Sequence, residues 1–113
     1  MRAIMLAVAI LIGANVQASA QYKLMFGQGV GTSCGSWTQA RQTRTATAGL
    51  SAQWIAGYLS GLNNEPTSAD FLRGTDFDGI MAWIDNFCQA NPLEKIGTAA
   101  YHLGDELRSR AQR

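Results

Sequence analysis

The stretch from Asp76 to Pro92 constrains the fold more than any other part of the chain, because its pattern predicts an amphipathic helix that carries a cysteine. Its apolar residues recur at steps of three and four and so share one helical face: Phe77, Ile80, Met81, Ile84, Phe87 and Cys88. Pro92 cannot continue the helical hydrogen bonds and ends the helix. Because Cys88 lies on the apolar face, any bond that it makes is expected inside the core.

Polar residues predict where this helix and the next one begin. Thr75 and Asp78 have capping-box spacing, so Thr75 is expected to cap the first turn while Asp78 faces its positive end. Asn91 is the expected cap of the next helix, with Pro92 in its first position and Glu94 three residues after the cap. This last helix then follows a regular apolar stripe of Leu93, Ile96, Ala100, Leu103 and Leu107.

Two further helices are predicted nearer the N-terminus, over Ser33–Thr43 and Ala48–Leu62. The second carries its apolar residues at four-residue steps with neighbours beside them: Leu50, Trp54, Ile55, Tyr58, Leu59 and Leu62. Gly57 and Gly61 on this helix predict the close approach of another helix, because glycine has no side chain to hold a neighbour off. The chain is therefore expected to be all-α, a compact bundle of about four helices.

A polar connector, Asn63–Gly74, joins the second helix to the third. It is long for a link between packed helices, and long ordered loops of small domains often carry binding residues. Trp83 lies beside the apolar stripe of its helix, where it either packs in the core or anchors a protein partner. The partner-binding residues predicted from these features are Asn63, Asn64, Glu65, Asp70, Arg73 and Trp83.

The first 20 residues have the pattern of an export signal. The basic start at Arg2 is followed by an apolar run, Ala3–Ala14, that is shorter than the ~20 residues of a bilayer span. Small residues then fit signal peptidase, with cleavage expected after Ala20 and cleavage after Ala18 as the alternative. Residues 21–113 are expected to form a single domain that begins with a short extended arm, Gln21–Thr32.

Cys34 and Cys88 are the two cysteines of the chain. An even number in an exported protein favours a disulfide, which would close a loop of about 55 residues, worth ~4 kcal/mol by loop entropy. Two free thiols or a metal-binding pair remain the alternatives, although a metal would need more ligands and the chain has one histidine, His102. The pattern predicts a periplasmic or secreted protein.

Charge and motif content argue against several classes of function. Nine basic residues less Arg2 leave eight, against eight acidic ones, and this balance argues against nucleic acid as a partner. No later segment looks membrane-spanning, so stable insertion after signal cleavage is not expected. No serine of the chain lies in a nucleophile-elbow motif, so His102 has no evident nucleophile to activate. The stretch Asp76–Gly79 resembles the start of a calcium-binding loop but lacks the distal glutamate ligand. We therefore predict a protein that is not an enzyme, with no catalytic residues, metal or cofactor.

Three segments together resemble the Rap/Tai immunity family of small exported bacterial proteins: Cys34–Arg41, Trp54–Asn63 and Trp83–Leu93. The resemblance covers about Cys34 to Leu107 and implies a compact all-α periplasmic domain with a disulfide. Members of that family bind peptidoglycan amidase toxins delivered by type VI secretion and block their active sites, often as dimers. The resemblance thus implies a peptidoglycan-hydrolase toxin as protein partner, and a homodimer.

Two other functions suit a small, helical, exported and disulfide-linked chain. One is an acid-stress periplasmic chaperone of the HdeA kind, which opens in acid and exposes apolar surface; here eight carboxylates would be neutralised and leave eight basic groups to repel one another. The other is an accessory protein of an envelope assembly. The motif resemblance favours the immunity function over both.

Overall fold

The computed structural model describes residues 29–66 and 69–113, so the predicted signal peptide and most of the predicted arm lie outside the described residues. Four helices form the fold of this part of the chain: α1 Cys34–Thr43, α2 Ala46–Asn63, α3 Phe77–Ala90 and α4 Ile96–Ala111. Each helix packs mainly against two others, in the cyclic order α1, α2, α4, α3. The predicted fold class, a compact all-α bundle of four helices, is confirmed.

Apolar side chains from all four helices and from Phe71 in the connector form one core. Its largest fully buried members are Trp37, Ile55, Leu59, Ile84 and Ile96. Cys34 and Cys88 are joined in a disulfide that links the first residue of α1 to the last turn of α3, and both cysteines are fully buried within this core. The predicted disulfide and its buried position are therefore confirmed.

The start of α4 differs from the prediction. The helix begins at Ile96 with Lys95 at the cap position, and Asn91–Lys95 forms a turn rather than the first helical residues. Leu93 consequently does not belong to the apolar stripe, and its side chain is 93% exposed at the tip of the turn. The predicted cap at Asn91 is wrong because the carbonyl groups of this turn bond to another helix.

That other helix is α1, whose first N–H groups have no partner within the helix itself. The N–H of Cys34 donates to the carbonyl of Glu94 at 2.7 Å, and the N–H of Gly35 donates to the carbonyl of Pro92 at 3.0 Å. Ser33, the cap of α1, accepts the N–H of Ser36 at 3.1 Å and so satisfies a further donor. The turn before α4 therefore serves as part of the cap of α1.

The cap of α3 is Asp76, not Thr75 as predicted. The Asp76 carboxylate accepts the N–H of Gly79 at 2.7 Å, while the hydroxyl of Thr75 donates to the carbonyl of Leu72. Because Asp76 has the extended backbone of a cap, the helix begins one residue later than a Thr75 cap would allow. Asp78 lies in the first turn, as expected.

The buried face of α2 is also rotated from the predicted one. Ser51, Ala52, Ile55 and Leu59 are buried, whereas Leu50 is 59% exposed. Gly57 and Gly61 lie on the exposed side, where an added Cβ would meet nothing within 4 Å, so the predicted close helix approach at these glycines is wrong. Close approaches occur elsewhere, with Gly104 against Leu62 and Gly97 against Val30.

Candidate functional site

The described part of the connector, residues 63–66 and 69–74, leaves an open groove against α3 and α4. The larger part of this groove has a volume of about 590 Å³, and an adjoining part of about 220 Å³ shares Gly74, Thr75, Leu107 and Arg110 with it. We call the combined space the connector groove. Its walls include Asp70, Phe71, Arg73, Thr75, Trp83 and Arg110.

Asn63, the last residue of α2, holds the connector in place. Its side-chain oxygen accepts the N–H of Phe71 at 2.9 Å, and its side-chain N–H donates to the carboxylate of Asp70, also at 2.9 Å. The Phe71 ring is thereby fixed in the core, where it is 4% exposed. One amide group thus positions both a wall of the groove and the ring beneath it.

Arg108 of α4 completes this support from the other side. Its guanidinium lies 5.4 Å from the centre of the Phe71 ring, within the range of a cation–π contact. The same group pairs with Glu65 at 3.5 Å, so Glu65 orients Arg108 rather than facing the groove. The connector is therefore tied to the ends of both α2 and α4.

Charged side chains form the rim of the groove. Arg73 and Asp70 approach to 3.8 Å in an exposed pair, and Arg110 donates to Glu106 at 2.8 Å, also near the surface. Exposed ion pairs of this kind contribute little to stability, typically ~0–1 kcal/mol, because water and salt screen them. Their partners can consequently be exchanged for groups on another molecule at small cost.

Trp83 contributes the largest aromatic side chain of the groove. It is half-buried, with its ring stacked at 5.6 Å on Phe87, and it lines the smaller part of the groove together with Ile80 and Leu103. The indole therefore belongs partly to the packed interior and partly to the groove. Its position beside the apolar stripe, inferred from the sequence, agrees with this half-buried placement.

The structure brings together three of the six predicted partner-binding residues, since Asp70, Arg73 and Trp83 all line the connector groove. Asn63 and Glu65 support the groove from behind. Asn64 does not line the groove, and its side chain instead donates to the carbonyl of Ser60 at 2.7 Å. The role of these residues in binding stays a prediction.

Three of the six groove walls named above were not predicted from the sequence: Phe71, Thr75 and Arg110. Sequence reasoning assigned Thr75 to a helix cap and did not include Phe71 or Arg110 among the partner-binding residues, but all three line the groove. No local signal could have identified them, because the end of α4 reaches the connector only through the tertiary fold.

The described residues, 29–66 and 69–113, contain no group of three or more histidine, cysteine or acidic residues placed to hold a metal ion. Within the same ranges, no helix has the length and apolarity required to cross a membrane. The chain matches no protein-family model, no curated protein and no solved structure. The described residues therefore form a disulfide-linked four-helix domain with a groove that has an apolar floor and a charged rim.

Proposed function

We propose that this chain is an exported protein-binding module that inhibits an enzyme by holding a segment of it in the connector groove. The observation that carries the proposal is the meeting of Trp83, Arg73 and Arg110 around one groove. Tryptophan and arginine are enriched among the residues that dominate binding energy at protein interfaces. An apolar centre with a polar rim is also the usual anatomy of such interfaces.

The support behind the groove favours tight binding. Because Asn63 fixes the backbone at Phe71 and Arg108 covers the ring, the floor is formed before a partner arrives. A preformed site loses little conformational entropy on association, so more of the contact energy appears as affinity. This is the behaviour expected of an inhibitor that acts without rearranging.

The target enzyme that we propose is a peptidoglycan amidase delivered as a toxin. This part of the proposal rests on the resemblance of Cys34–Arg41, Trp54–Asn63 and Trp83–Leu93 to the Rap/Tai immunity family. Export is supported by the buried disulfide, since such bonds form and persist in oxidising compartments. A homodimer is the assembly that the same resemblance favours.

The proposal is tested with oxidised protein of residues 21–113 against envelope and secreted extracts of its source, and against amidases encoded beside its gene. We expect one near-stoichiometric hydrolase to be retained at neutral pH and its activity to be inhibited. Trp83→Ala is expected to weaken that binding by at least ~30-fold, as for a residue that dominates an interface. Arg73→Glu changes the rim without touching the core and should weaken binding as well.

Leu50→Ala is the matched control, because Leu50 is an exposed apolar residue on α2 that does not line the groove. Thermal unfolding of each variant separates a loss of binding from a loss of fold. If Leu93→Asp abolishes binding while both groove variants bind normally, the surface is the turn before α4 and the groove proposal is wrong. Capture of many unrelated proteins near pH 3, and of none at neutral pH, would favour the acid-stress chaperone instead.

A further inference from the structure

A second cavity, of about 390 Å³, lies beside the end of α1 and shares no lining residue with the connector groove. It is lined by Thr38, Arg41, Gln42, Arg44, Asp85 and Gln89. We call it the arginine pocket. Two of its residues are cationic and one is anionic, so its formal charge is positive by one.

Both carboxylate oxygens of Asp85 accept hydrogen bonds from residues of its own chain. It accepts the indole N–H of Trp37 at 2.8 Å and the Nη2 of Arg41 at 2.7 Å, with the Arg41 Nε at 3.1 Å. This fork, together with the Trp37 ring 5.4 Å away, fixes the orientation of the Arg41 guanidinium. The Nη1 group of Arg41 has no hydrogen bond to any described residue and remains available to a ligand.

Arg44 occupies an unusual backbone position. It ends α1 in the left-handed conformation, with φ 54° and ψ 42°, where glycine is strongly preferred because a Cβ causes strain. A cation at a helix C-terminus is favourable, but that explains the charge and not the left-handed backbone. Backbone hydrogen bonds support this turn, because the N–H groups of Arg44 and Thr45 both donate to the carbonyl of Ala40. Within residues 29–66 and 69–113, the Arg44 guanidinium itself makes no hydrogen bond or ion pair, so the side chain is not needed to hold the turn.

The remaining walls of the pocket supply further donors. Among the described residues, the hydroxyl of Thr38 and the side-chain amides of Gln42 and Gln89 have no hydrogen-bond partner, and all three residues line the same cavity as the arginines. Guanidinium groups present paired N–H donors that match the geometry of a carboxylate or a phosphate. A pocket with spare donors and a net positive charge suits an anion with several oxygens.

We propose that the arginine pocket binds an oxyanion, a carboxylate or a phosphate, held mainly by Arg44 and by Nη1 of Arg41. Asp85 fixes the orientation of the Arg41 guanidinium, and Arg44 supplies the second guanidinium from its left-handed backbone position at the end of α1. The site is independent of the proposed inhibitor function, so either proposal can fail without the other.

The sharpest test is Arg44→Gly, which removes the guanidinium while giving the left-handed position the residue that it prefers. Sodium acetate and inorganic phosphate are titrated separately at constant ionic strength, and the arginine Nε–H signals are followed by NMR. We expect saturable shifts of the Arg41 and Arg44 signals with at least one of the two anions. In Arg44→Gly, the Arg41 shift should need at least tenfold more anion, although the variant melts no lower than the parent.

Arg113→Gly is the matched control, because it removes one exposed positive charge remote in sequence from the pocket and should leave the titration unchanged. Saturation by acetate alone assigns a carboxylate, such as an acidic side chain of a protein, and saturation by phosphate alone assigns a phosphate; either supports the proposal. The proposal is overturned if the shifts do not saturate with either anion. It is also overturned if Arg113→Gly and Arg44→Gly raise the anion concentration needed for the Arg41 shift by the same factor.

Discussion

Val30 fills the space beside Gly97 so closely that a methyl group on Gly97 would lie 2.6 Å from the Cγ2 atom of Val30. The carbonyl oxygen of Val30 would be 3.1 Å from the same methyl group, so the contact involves backbone as well as side chain. Val30 is itself buried, and the nearby N–H of Ile96 donates to the carbonyl of Thr32 at 2.9 Å. The chain before α1 is thereby packed against the first turn of α4.

Gly97→Ala is therefore expected to destabilise the domain, by about 1–3 kcal/mol, because Val30 must shift to admit the methyl group. Gly57→Ala is the matched control on an exposed helical face, where the added Cβ meets nothing within 4 Å. There, alanine should raise stability by ~0.5–1 kcal/mol through its better helix propensity. Urea unfolding of both variants measures the two effects, and equal changes would contradict the packing at Gly97.

Replacement of both Cys34 and Cys88 by alanine is expected to lower the free energy of unfolding by about 4 kcal/mol through loop entropy alone. The two residues are separated by 54 positions, and opening this loop increases the freedom of the unfolded chain. Urea unfolding of the oxidised parent and of the double variant gives the difference. An intact mass without the loss of two hydrogens would show that the bond does not form on export.

Asp85→Ala is expected to cost about 1–3 kcal/mol, because the buried indole N–H of Trp37 loses its acceptor. Asp85→Asn should cost less, since the amide oxygen can still accept that hydrogen bond. Chemical unfolding at neutral pH compares the two variants. Equal costs would mean that the charge of Asp85, rather than the acceptor for Trp37, determines its contribution.

The ion pair of Arg41 with Asp85 should be insensitive to pH in the ordinary range. The hydrogen bond that Arg41 donates to Asp85 raises the pKa of Arg41 above the usual guanidinium value. A raised pKa means that the contribution of the Arg41 charge is fully present at neutral pH and is lost as pH rises through the folded pKa, in strong alkali. The cost of Arg41→Gln, at most ~1 kcal/mol for a part-exposed pair, should therefore be equal at about pH 6 and pH 9.

Asp76→Ala should destabilise α3 by about 1 kcal/mol, because the N–H of Gly79 loses its capping acceptor. Thr75→Ala should have the smaller effect, since Thr75 bonds only to the carbonyl of Leu72. Thermal unfolding of the two variants compares them directly. A larger loss for Thr75→Ala would restore Thr75 as the functional cap.

The predictions that held were those that depend on local periodicity. The apolar spacing of Met81, Ile84 and Cys88 placed all three on a buried face, and the even cysteine count indicated the disulfide. Local pattern also identified four helices in the right order, because each carries apolar residues at helical spacing. These features belong to single segments and need no knowledge of their neighbours.

The predictions that failed depend on which elements meet. Asn91, Pro92 and Glu94 have every local mark of a helix start, but the carbonyls of Pro92 and Glu94 accept N–H groups of α1. Gly57 suggested close packing, whereas the close contact occurs at Gly97, whose neighbour Val30 is remote in sequence. The groove was only half predictable for the same reason, since the end of α4 reaches the connector through tertiary packing.

The disulfide also determines how the domain responds to tension. Force applied between the residues before Cys34 and the C-terminal Arg113 passes from α1 to α3 through the two sulfur atoms. The 54-position separation between the cysteines represents roughly 190 Å of contour length at ~3.5 Å per residue, none of which is released while the bond is intact. Under load, the oxidised domain can therefore extend only through residues outside the covalent ring, such as those of α4, while α2 and the connector stay inside it.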